Sequence, residues 1–184
     1  MQTIETARLV LRRPVPQDVV PLAEINADPE VMRYIGDGRV RNFEETAGGI
    51  ARAVREWDER GYGMVSVDRR DTGEFIGWVA LAEPLFLPEV LPAIEIGWRL
   101  ARRHWGQGFA TEAAQAVLRF GFESCGFDPI LSIRQVGNDA SRRVMEKLGL
   151  HFDFLTKVPA YGVLVAVHSM SRAEFDGRQP GPEA

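Results

Sequence analysis

Two glycines between a strand pattern and a helix pattern mark the stretch of this sequence best suited to ligand binding. Gly106 and Gly108 supply a loop whose backbone can turn sharply and approach a ligand without an intervening Cβ atom. The helix pattern that follows, from Ala110, contributes unpaired backbone N–H groups and the partial positive charge of the helix dipole. The basic residues just before the loop are Arg99, Arg102, Arg103 and His104. Residues 106–110 are therefore predicted to bind an anion, most often a phosphate.

Two familiar phosphate-binding motifs fit this stretch poorly. A Walker loop requires Gly-Lys-Ser or Gly-Lys-Thr after its spacer, and the sequence has neither here. A Rossmann fingerprint requires Gly or Ala three residues after the second glycine, where this chain has Thr111, and an acidic residue after a second strand. A nucleotide-binding oxidoreductase is therefore the third alternative, and binding of NAD rather than CoA would be needed to support it.

The motif Arg103-x-x-Gly106-x-Gly108 resembles the signature with which the GNAT superfamily of acetyltransferases cradles the pyrophosphate of acetyl-CoA. The longer string Glu-Ile-Gly-Trp-Arg-Leu … Trp-Gly-Gln-Gly-Phe-Ala-Thr-Glu-Ala at residues 95–113 resembles one branch, the ribosomal-protein N-terminal acetyltransferases. The opening Thr-x-Arg-Leu-x-Leu-Arg at residues 6–12 resembles the same branch. The resemblance implies acetyl-CoA as co-substrate, with its pyrophosphate on Arg103, Gly106, Gln107, Gly108, Phe109, Ala110 and Thr111.

The resemblance also assigns the pantetheine arm to the strand predicted over residues 94–100. The pantetheine amides would pair with this strand as an added strand does, and one strand N–H would face the acetyl oxygen. By position these roles fall to Ile96, Gly97, Trp98 and Leu100. A later helix begins at Asn138, and the resemblance implies that Asn138 and Ser141 contact the cofactor as well.

Glu95 is the candidate general base. Amide formation requires a neutral amine, although a free alkyl amine is mostly protonated at pH 7. Glu95 lies on a strand face otherwise made of Ala93, Gly97 and Arg99, near the expected thioester, and a partly desolvated cleft can raise its pKa toward a useful range. The alternatives are a Glu that faces solvent, a Glu paired with Arg99, and a base that acts through water.

The candidate acid is Ser141. Many superfamily members carry Asn-x-x-Ala-x-x-x-Tyr-Glu-Lys-Leu-Gly, in which the Tyr is proposed to protonate the leaving thiolate. In this chain Met145 occupies the Tyr position and cannot donate a proton, whereas Ser141 falls in the first turn of the same helix. The alternative is structural: Asn138 as a helix cap and Ser141 as a polar first-turn residue.

Composition limits the classes of function. The 184 residues carry a net charge of −4, which gives no general attraction to nucleic acid or membranes. The single Cys125 and three scattered His offer neither an internal disulfide nor a metal-ligand cluster. Because the sequence also lacks a signal-peptide pattern and a membrane-length apolar run, a cytoplasmic protein without a metal is expected. We expect one domain over residues 1–176 and a flexible tail over residues 177–184.

The predicted elements define a mixed α/β fold. Residues 94–100 alternate as a strand does, and Ala110, Ala113, Ala114, Val117 and Leu118 form one apolar helix face. A longer helix is predicted over residues 43–60. The GNAT resemblance implies a central, mostly antiparallel sheet of seven strands flanked by helices, with parallel strands near Ile94 and Ile130 that splay to admit the cofactor.

The function implied is transfer of an acetyl group from acetyl-CoA to a primary amine by direct attack in a ternary complex. The amine is a protein N-terminus or a small molecule, and the acidic chain would suit a basic acceptor. The alternative class is an acyl-CoA-binding sensor or regulator without turnover, which the absence of the usual Tyr brings into consideration. A homodimer is the oligomer considered, although no pattern in the sequence fixes it.

Overall fold

The strand predicted over residues 94–100 and the helix predicted over residues 43–60 both form. A computed structural model describes residues 3–178, so residues 179–184 of the expected tail lie outside the described part. The strands are β1 (Ile4–Glu5), β2 (Leu9–Arg12), β3 (Met64–Arg69), β4 (Phe75–Ala82), β5 (Ile94–Leu100), β6 (Ile130–Gln135), β7 (His151–Lys157) and β8 (Leu164–Met170). The helices are α1 (Val19–Asn26), α2 (Pro29–Met32), α3 (Phe43–Arg60), α4 (Phe109–Glu123), α5 (Asp139–Leu148) and α6 (Arg172–Asp176).

All described strands join one sheet, in the order β1-β2-β3-β4-β5-β6-β8-β7. The expected fold class is confirmed: the sheet is antiparallel except at the β5–β6 pair. Within residues 3–178 it has eight strands rather than seven, because the chain turns at Thr6 and the short strand β1 pairs back onto β2.

The parallel pair opens soon after it forms. Ile94 pairs with Ile130 and Glu95 with Leu131, and no further pairs follow between these strands in the described residues. Beyond that point β5 remains paired with β4, and β6 remains paired with β8. The hydroxyl of Ser132 donates to the carbonyl oxygen of Ile96 over 2.9 Å, at the start of the opening. The two strands therefore diverge and leave a cleft, as the resemblance implies.

Helix α4 covers one face of the sheet beside this opening. Ala113, Ala114, Val117 and Leu118 are buried in the main core, as the apolar pattern predicts. Gly121 permits close packing, since a Cβ atom there would lie 2.8 Å from Cδ1 of Ile130. This packing fixes the start of α4, and with it the glycine loop, next to the end of β5.

Helices α1 and α3 cover the other face. Leu22, Ile25 and Ile50 form a second core cluster with Phe75 of β4. Helix α3 begins at a capping box between Asn42 and Glu45. It ends at Gly61, whose backbone adopts the left-handed conformation. Through this packing α1 and α2 form a wall that faces β5 across the sheet surface.

Candidate functional site

The diverging strands enclose a cleft of about 730 Å³ that reaches from the glycine loop to helix α2. The predicted site residues that line it are Glu95, Gly97, Trp98, Leu100, Gly106, Gly108, Phe109, Ala110, Thr111, Asn138 and Ser141. Those that do not line it are Ile96, Arg103 and Gln107. Segments far apart in the sequence thus meet at one cavity of a size typical of ligand sites.

The glycine loop presents a row of free backbone donors. Gly106 and Gly108 have φ angles of 73° and 83°, in the left-handed region that favours glycine. Among the described residues, no acceptor is found for the backbone N–H groups of residues 106–111, and the first pairing is that of Glu112 with Gly108 O. Consecutive free N–H groups at a helix N-terminus form a concave site for an anion.

A clamp from the N-terminal strands holds this loop. Arg8 donates through Nη1 to the carbonyl oxygen of Gln107 over 2.9 Å and through Nε to Glu112 over 2.7 Å. The hydroxyl of Thr6 donates to the same carboxylate over 2.6 Å. The clamp therefore gives the Thr-x-Arg opening and Glu112 of helix α4 a shared role, which is to hold the glycine loop in place. Sequence reasoning assigned neither of them a role in the site.

Arg103 and Gln107 point away from the cleft. The guanidinium of Arg103 lies 2.6 Å from Glu74, whose pKa it lowers, and His104 contacts the same carboxylate oxygen at 3.2 Å. The side-chain amide of Gln107 donates to the carbonyl oxygen of Arg103 over 2.9 Å. At this end of the cleft the backbone, rather than the Arg103 charge, is therefore presented to a ligand.

Glu95 lies where the parallel strands begin to separate. Its neighbours on the same face of β5 are Gly97 and Arg99, whereas Ile96 turns into the core and is fully buried. Burial raises the pKa of Glu95 to about 8, and the backbone N–H of Ile133 acts in the opposite direction. Within residues 3–178 Glu95 forms no ion pair, so the predicted pairing with Arg99 does not occur. The result is a carboxyl group poised to exchange a proton near neutral pH.

The start of α5 forms the opposite side of the cleft. Asn138 caps the helix, since its side-chain oxygen accepts from the backbone N–H of Ser141 over 3.1 Å. The Ser141 side chain lines the cleft, whereas Met145 is fully buried in the main core. Met145 therefore fills a packing position, and Ser141 is the side chain of this helix turn that could supply a hydroxyl.

Four further residues line the cleft. These are Tyr34, Arg41, Trp78 and Tyr161. Arg41 and Trp78 belong to no motif of the site, so sequence reasoning missed them. Tyr34 and Arg41 lie in the segment after α2, Trp78 lies on β4, and Tyr161 lies in the turn between β7 and β8.

Comparison with known proteins identifies the family. The model of the Acetyltransferase (GNAT) domain matches residues 8–151. The chain therefore belongs to the GNAT acetyltransferase family, and it is an N-acetyltransferase by class. None of the helices in residues 3–178 combines the length and apolar character needed to cross a membrane, and these residues hold no cluster of potential metal ligands.

Individual relatives share part of the sequence or the fold. YkkB of Bacillus subtilis is 37% identical over 134 residues, which are 68% of this chain and 70% of that protein. A GNAT-family acetyltransferase structure from Bacillus anthracis superposes with a TM-score of 0.80 at 25% identity, over 94% of this chain and 100% of that one. RimL, the ribosomal L7/L12 alpha-N-protein acetyltransferase in complex with coenzyme A, superposes with a TM-score of 0.76 at 19% identity, over 92% and 98%.

Proposed function

We propose that this protein transfers an acetyl group from acetyl-CoA to a primary amine. The observation that carries the proposal is the row of free backbone N–H groups at residues 106–111, beside a cleft between two diverging parallel strands. The first feature suits a pyrophosphate, and the second suits a long, thin acyl-carrying arm. The RimL structure, which shares this fold, was determined with coenzyme A.

The donor would be held mainly by backbone groups. Its pyrophosphate would accept from the glycine loop and the first turn of α4, from Gly106 to Thr111. Its pantetheine amides would pair with the edge of β5 that β6 leaves open, at Gly97, Trp98 and Leu100. Asn138 and Ser141 would contact the arm from the other side. This arrangement would direct the thioester toward Glu95.

Glu95 would act as the general base. With its pKa raised to about 8, the carboxylate can take a proton from an ammonium group and leave a neutral amine in place. The amine nitrogen then attacks the thioester carbonyl, the C–N bond forms, and the C–S bond breaks. A backbone N–H of β5 would stabilise the developing oxyanion. As the C–S bond breaks, the nitrogen would pass its second proton to the Ser141 oxygen while the Ser141 hydroxyl donates its own proton to the leaving thiolate.

The acceptor amine would enter from the α2 side of the cleft. The resemblance to the ribosomal-protein N-terminal acetyltransferases makes a protein N-terminus one candidate, and a small-molecule amine is the other. The α-amine of a protein N-terminus has a lower pKa than a lysine side chain and needs less help from a base. The two acceptor classes can be separated by a panel of short peptides and simple amines.

The first experiment is a thermal-shift assay with acetyl-CoA, CoA, NAD and ATP side by side. A ligand at about a hundred times its dissociation constant stabilises the folded state by roughly 2.7 kcal/mol. For a chain of this size the melting temperature should rise by about 5–10 °C. A rise with both CoA species alone supports the proposal. A rise with NAD or ATP instead would contradict it, and binding without transfer to any amine would favour a sensor.

A further inference from the structure

Arg99 is a buried cation without a counter-ion. Its residue is 8% exposed, and within residues 3–178 it forms no ion pair with a carboxylate. Nη1 donates to the side-chain oxygen of Asn26 over 2.5 Å, and the guanidinium lies over Trp78 at 5.1 Å. Nε is buried and has no hydrogen-bond partner in the described part of the chain. A buried guanidinium left in this state is costly unless an anion completes it.

Arg12 is a partly buried arginine that, unlike Arg99, is paired with carboxylates. Arg12 Nη2 lies 2.7 Å from Asp18, and its Nε lies 2.6 Å from Asp68. Arg12 thus receives two carboxylates from its own chain, whereas the more deeply buried Arg99 receives none. Arg99 also differs in place, since it lines the cleft and Arg12 does not. The counter-ion that Arg99 lacks can therefore come from a ligand in the cleft.

A second cation lies beside Arg99. Arg41 lines the same cleft, and its backbone N–H donates to the carbonyl oxygen of Asn26, the residue whose side chain holds Arg99. Burial lowers the pKa of Arg99 to about 9, and the charge of Arg41 contributes to the lowering. Two guanidinium groups therefore face one region of the α2 wall.

Three acidic residues near Arg41 and Arg99 are already engaged, whereas Glu24 of α1 is exposed. Asp28 pairs with Arg102 at 3.1 Å, and Glu45 pairs with Arg39 at 2.6 Å. Glu30 approaches Arg33 at 3.9 Å. Arg41, like Arg99, forms no ion pair within residues 3–178. These three engaged carboxylates therefore leave both guanidinium groups available to an anion, although the whole chain carries a net charge of −4.

The position of Arg99 separates it from the two ends of the donor site. It shares a strand face with Glu95, four residues away, which places their Cα atoms about 13 Å apart. The free N–H groups suited to a pyrophosphate belong to the glycine loop and α4, which pack against the opposite face of β5. Arg99 and Glu95 instead border the side of the cleft that α1 and α2 cover.

We infer that Arg99, assisted by Arg41, binds an anionic group of the acceptor, such as a carboxylate, while Glu95 receives the proton of its amine. The preferred acceptor is then a molecule that carries a primary amine and, separated from it by several bonds, a carboxylate or phosphate. This inference rests on the proposed acetyl transfer and narrows its substrate class. A phosphate of the donor offers the same chemistry, so the experiment must distinguish the two sources.

The test measures CoA release with a homologous series of ω-amino carboxylic acids and their matching carboxamides. The acids should be preferred, most strongly at the chain length that spans Glu95 and Arg99. Arg99→Gln, which can still reach Asn26, should lower kcat/KM for the acids by about a hundredfold and leave the amides nearly unchanged. The dissociation constant of acetyl-CoA, measured separately, should stay the same. Arg102→Gln, an exposed arginine outside the cleft, is the control.

Other results would overturn the inference. Equal losses for acids and amides would make Arg99 a packing residue, and weaker acetyl-CoA binding would make its anion a donor phosphate. If no acid accepts an acetyl group although other primary amines do, the inference fails and the proposed acetyl transfer stands. If acetyl-CoA does not bind, the proposed function itself fails. Arg41→Gln, a less buried site, should reduce the acid preference too, and it serves if Arg99→Gln does not fold.

Discussion

Glu95 combines a polar side chain with a place inside the sheet, and the two together decide its chemistry. The sequence shows a carboxylate on a strand face, but the extent of its desolvation depends on how β4, β5 and β6 surround it. The structure raises the pKa of Glu95 to about 8 because burial disfavours the charged form. Activity that depends on the carboxylate should therefore increase as the pH rises toward that value.

The first prediction concerns Glu95→Gln and catalysis. The variant cannot accept a proton, so kcat/KM should fall by about a hundredfold, within the usual range for a general base. In the wild type, kcat/KM should rise through a limb centred near pH 8. The measurement is a pH profile with one acceptor for both proteins, because the titration of the amine itself then appears in both. A limb that survives unchanged in the variant would assign the proton transfer to water.

The same substitution should stabilise the protein. The pKa of Glu95 in the folded state is about 8, above its ordinary value of 4.5, so between these values the folded state binds more protons than the unfolded state. The free energy of unfolding therefore declines as the pH rises across this window. Glu95→Gln removes that penalty and should raise the free energy of unfolding by about 4 kcal/mol at pH 8. Denaturant unfolding at pH 5 and pH 8 tests this, since the gain should nearly vanish at about pH 5.

Ser141 offers a substitution that separates catalysis from helix capping. The cap uses the backbone N–H of Ser141 and the side chain of Asn138, so Ser141→Ala leaves that hydrogen bond intact. The melting temperature should stay nearly constant, whereas kcat should fall about tenfold if the hydroxyl protonates the thiolate. Asn138→Ala is the matched control, because it should cost about 1 kcal/mol of stability through the lost cap. An unchanged kcat in Ser141→Ala would exclude the hydroxyl as the acid.

Single residues of the cleft were predictable only where a motif contained them. Glu95, Asn138 and Ser141 belong to strings with recognisable spacing, and all three line the cleft. Arg41 comes from a connecting segment whose course depends on tertiary packing, so no local pattern predicted its place in the cleft. The salt bridge of Arg103 with Glu74 was equally hidden, because the two residues meet only when their elements pack side by side.

At the scale of elements, local pattern predicted most of the architecture. The alternation of residues 94–100 and the apolar face of α4 are short-range features, and both elements form as expected. Strand β1 was missed because its two residues are too few for a periodicity to show. The divergence of β5 from β6 could be expected only from the family resemblance, since strand pairing is a long-range property.

The glycine loop allows a prediction with a close structural control. Gly106 and Gly73 have nearly the same φ, 73° and 70°, and an added Cβ would meet no atom within 4 Å at either position. Gly106→Ala and Gly73→Ala should therefore lose similar stability, about 1 kcal/mol each. Gly106 lines the cleft, whereas Gly73 lies in the turn between β3 and β4. Only Gly106→Ala should weaken CoA binding, by about tenfold, as calorimetry can measure.

Equal affinities for CoA in the two glycine variants would contradict the phosphate role of the loop. A loss in both would point instead to a general effect of reduced stability. The pair is informative because the backbone strain is matched, so a difference between the variants isolates the contribution of the loop to the ligand.

At the scale of the whole molecule, the charges that form buried ion pairs and the unpaired charges of the cleft lie in different places. Arg12, Asp18 and Asp68 form a closed network on the acceptor side of the sheet, and the hydroxyl of Ser66 donates to Asp18 over 2.6 Å. This network joins β2 and β3 to the turn before α1. Glu95 and Arg99, which line the cleft, by contrast form no ion pair within the described residues.

The network should therefore carry stability without carrying donor binding. Asp18 is 3% exposed, and burial alone would raise its pKa, but hydrogen bonds from Arg12, Ser66 and Val15 outweigh burial and hold the pKa below its ordinary value. Asp18→Asn leaves Arg12 with a weakened partner in a buried place, so the free energy of unfolding should fall by about 3 kcal/mol. The melting temperature should then drop by about 6–12 °C.

Asp58→Asn provides the comparison, since Asp58 pairs with Arg13 at an exposed site. Its loss should cost less than about 1 kcal/mol, because water already screens the pair. Acetyl-CoA should raise the melting temperature of both variants by the same amount as in the wild type, since the glycine loop is held by Arg8 and Glu112 and not by this network. A reduced shift in Asp18→Asn would mean that the α1 wall and the donor site are coupled, and that the two faces of the sheet do not act independently.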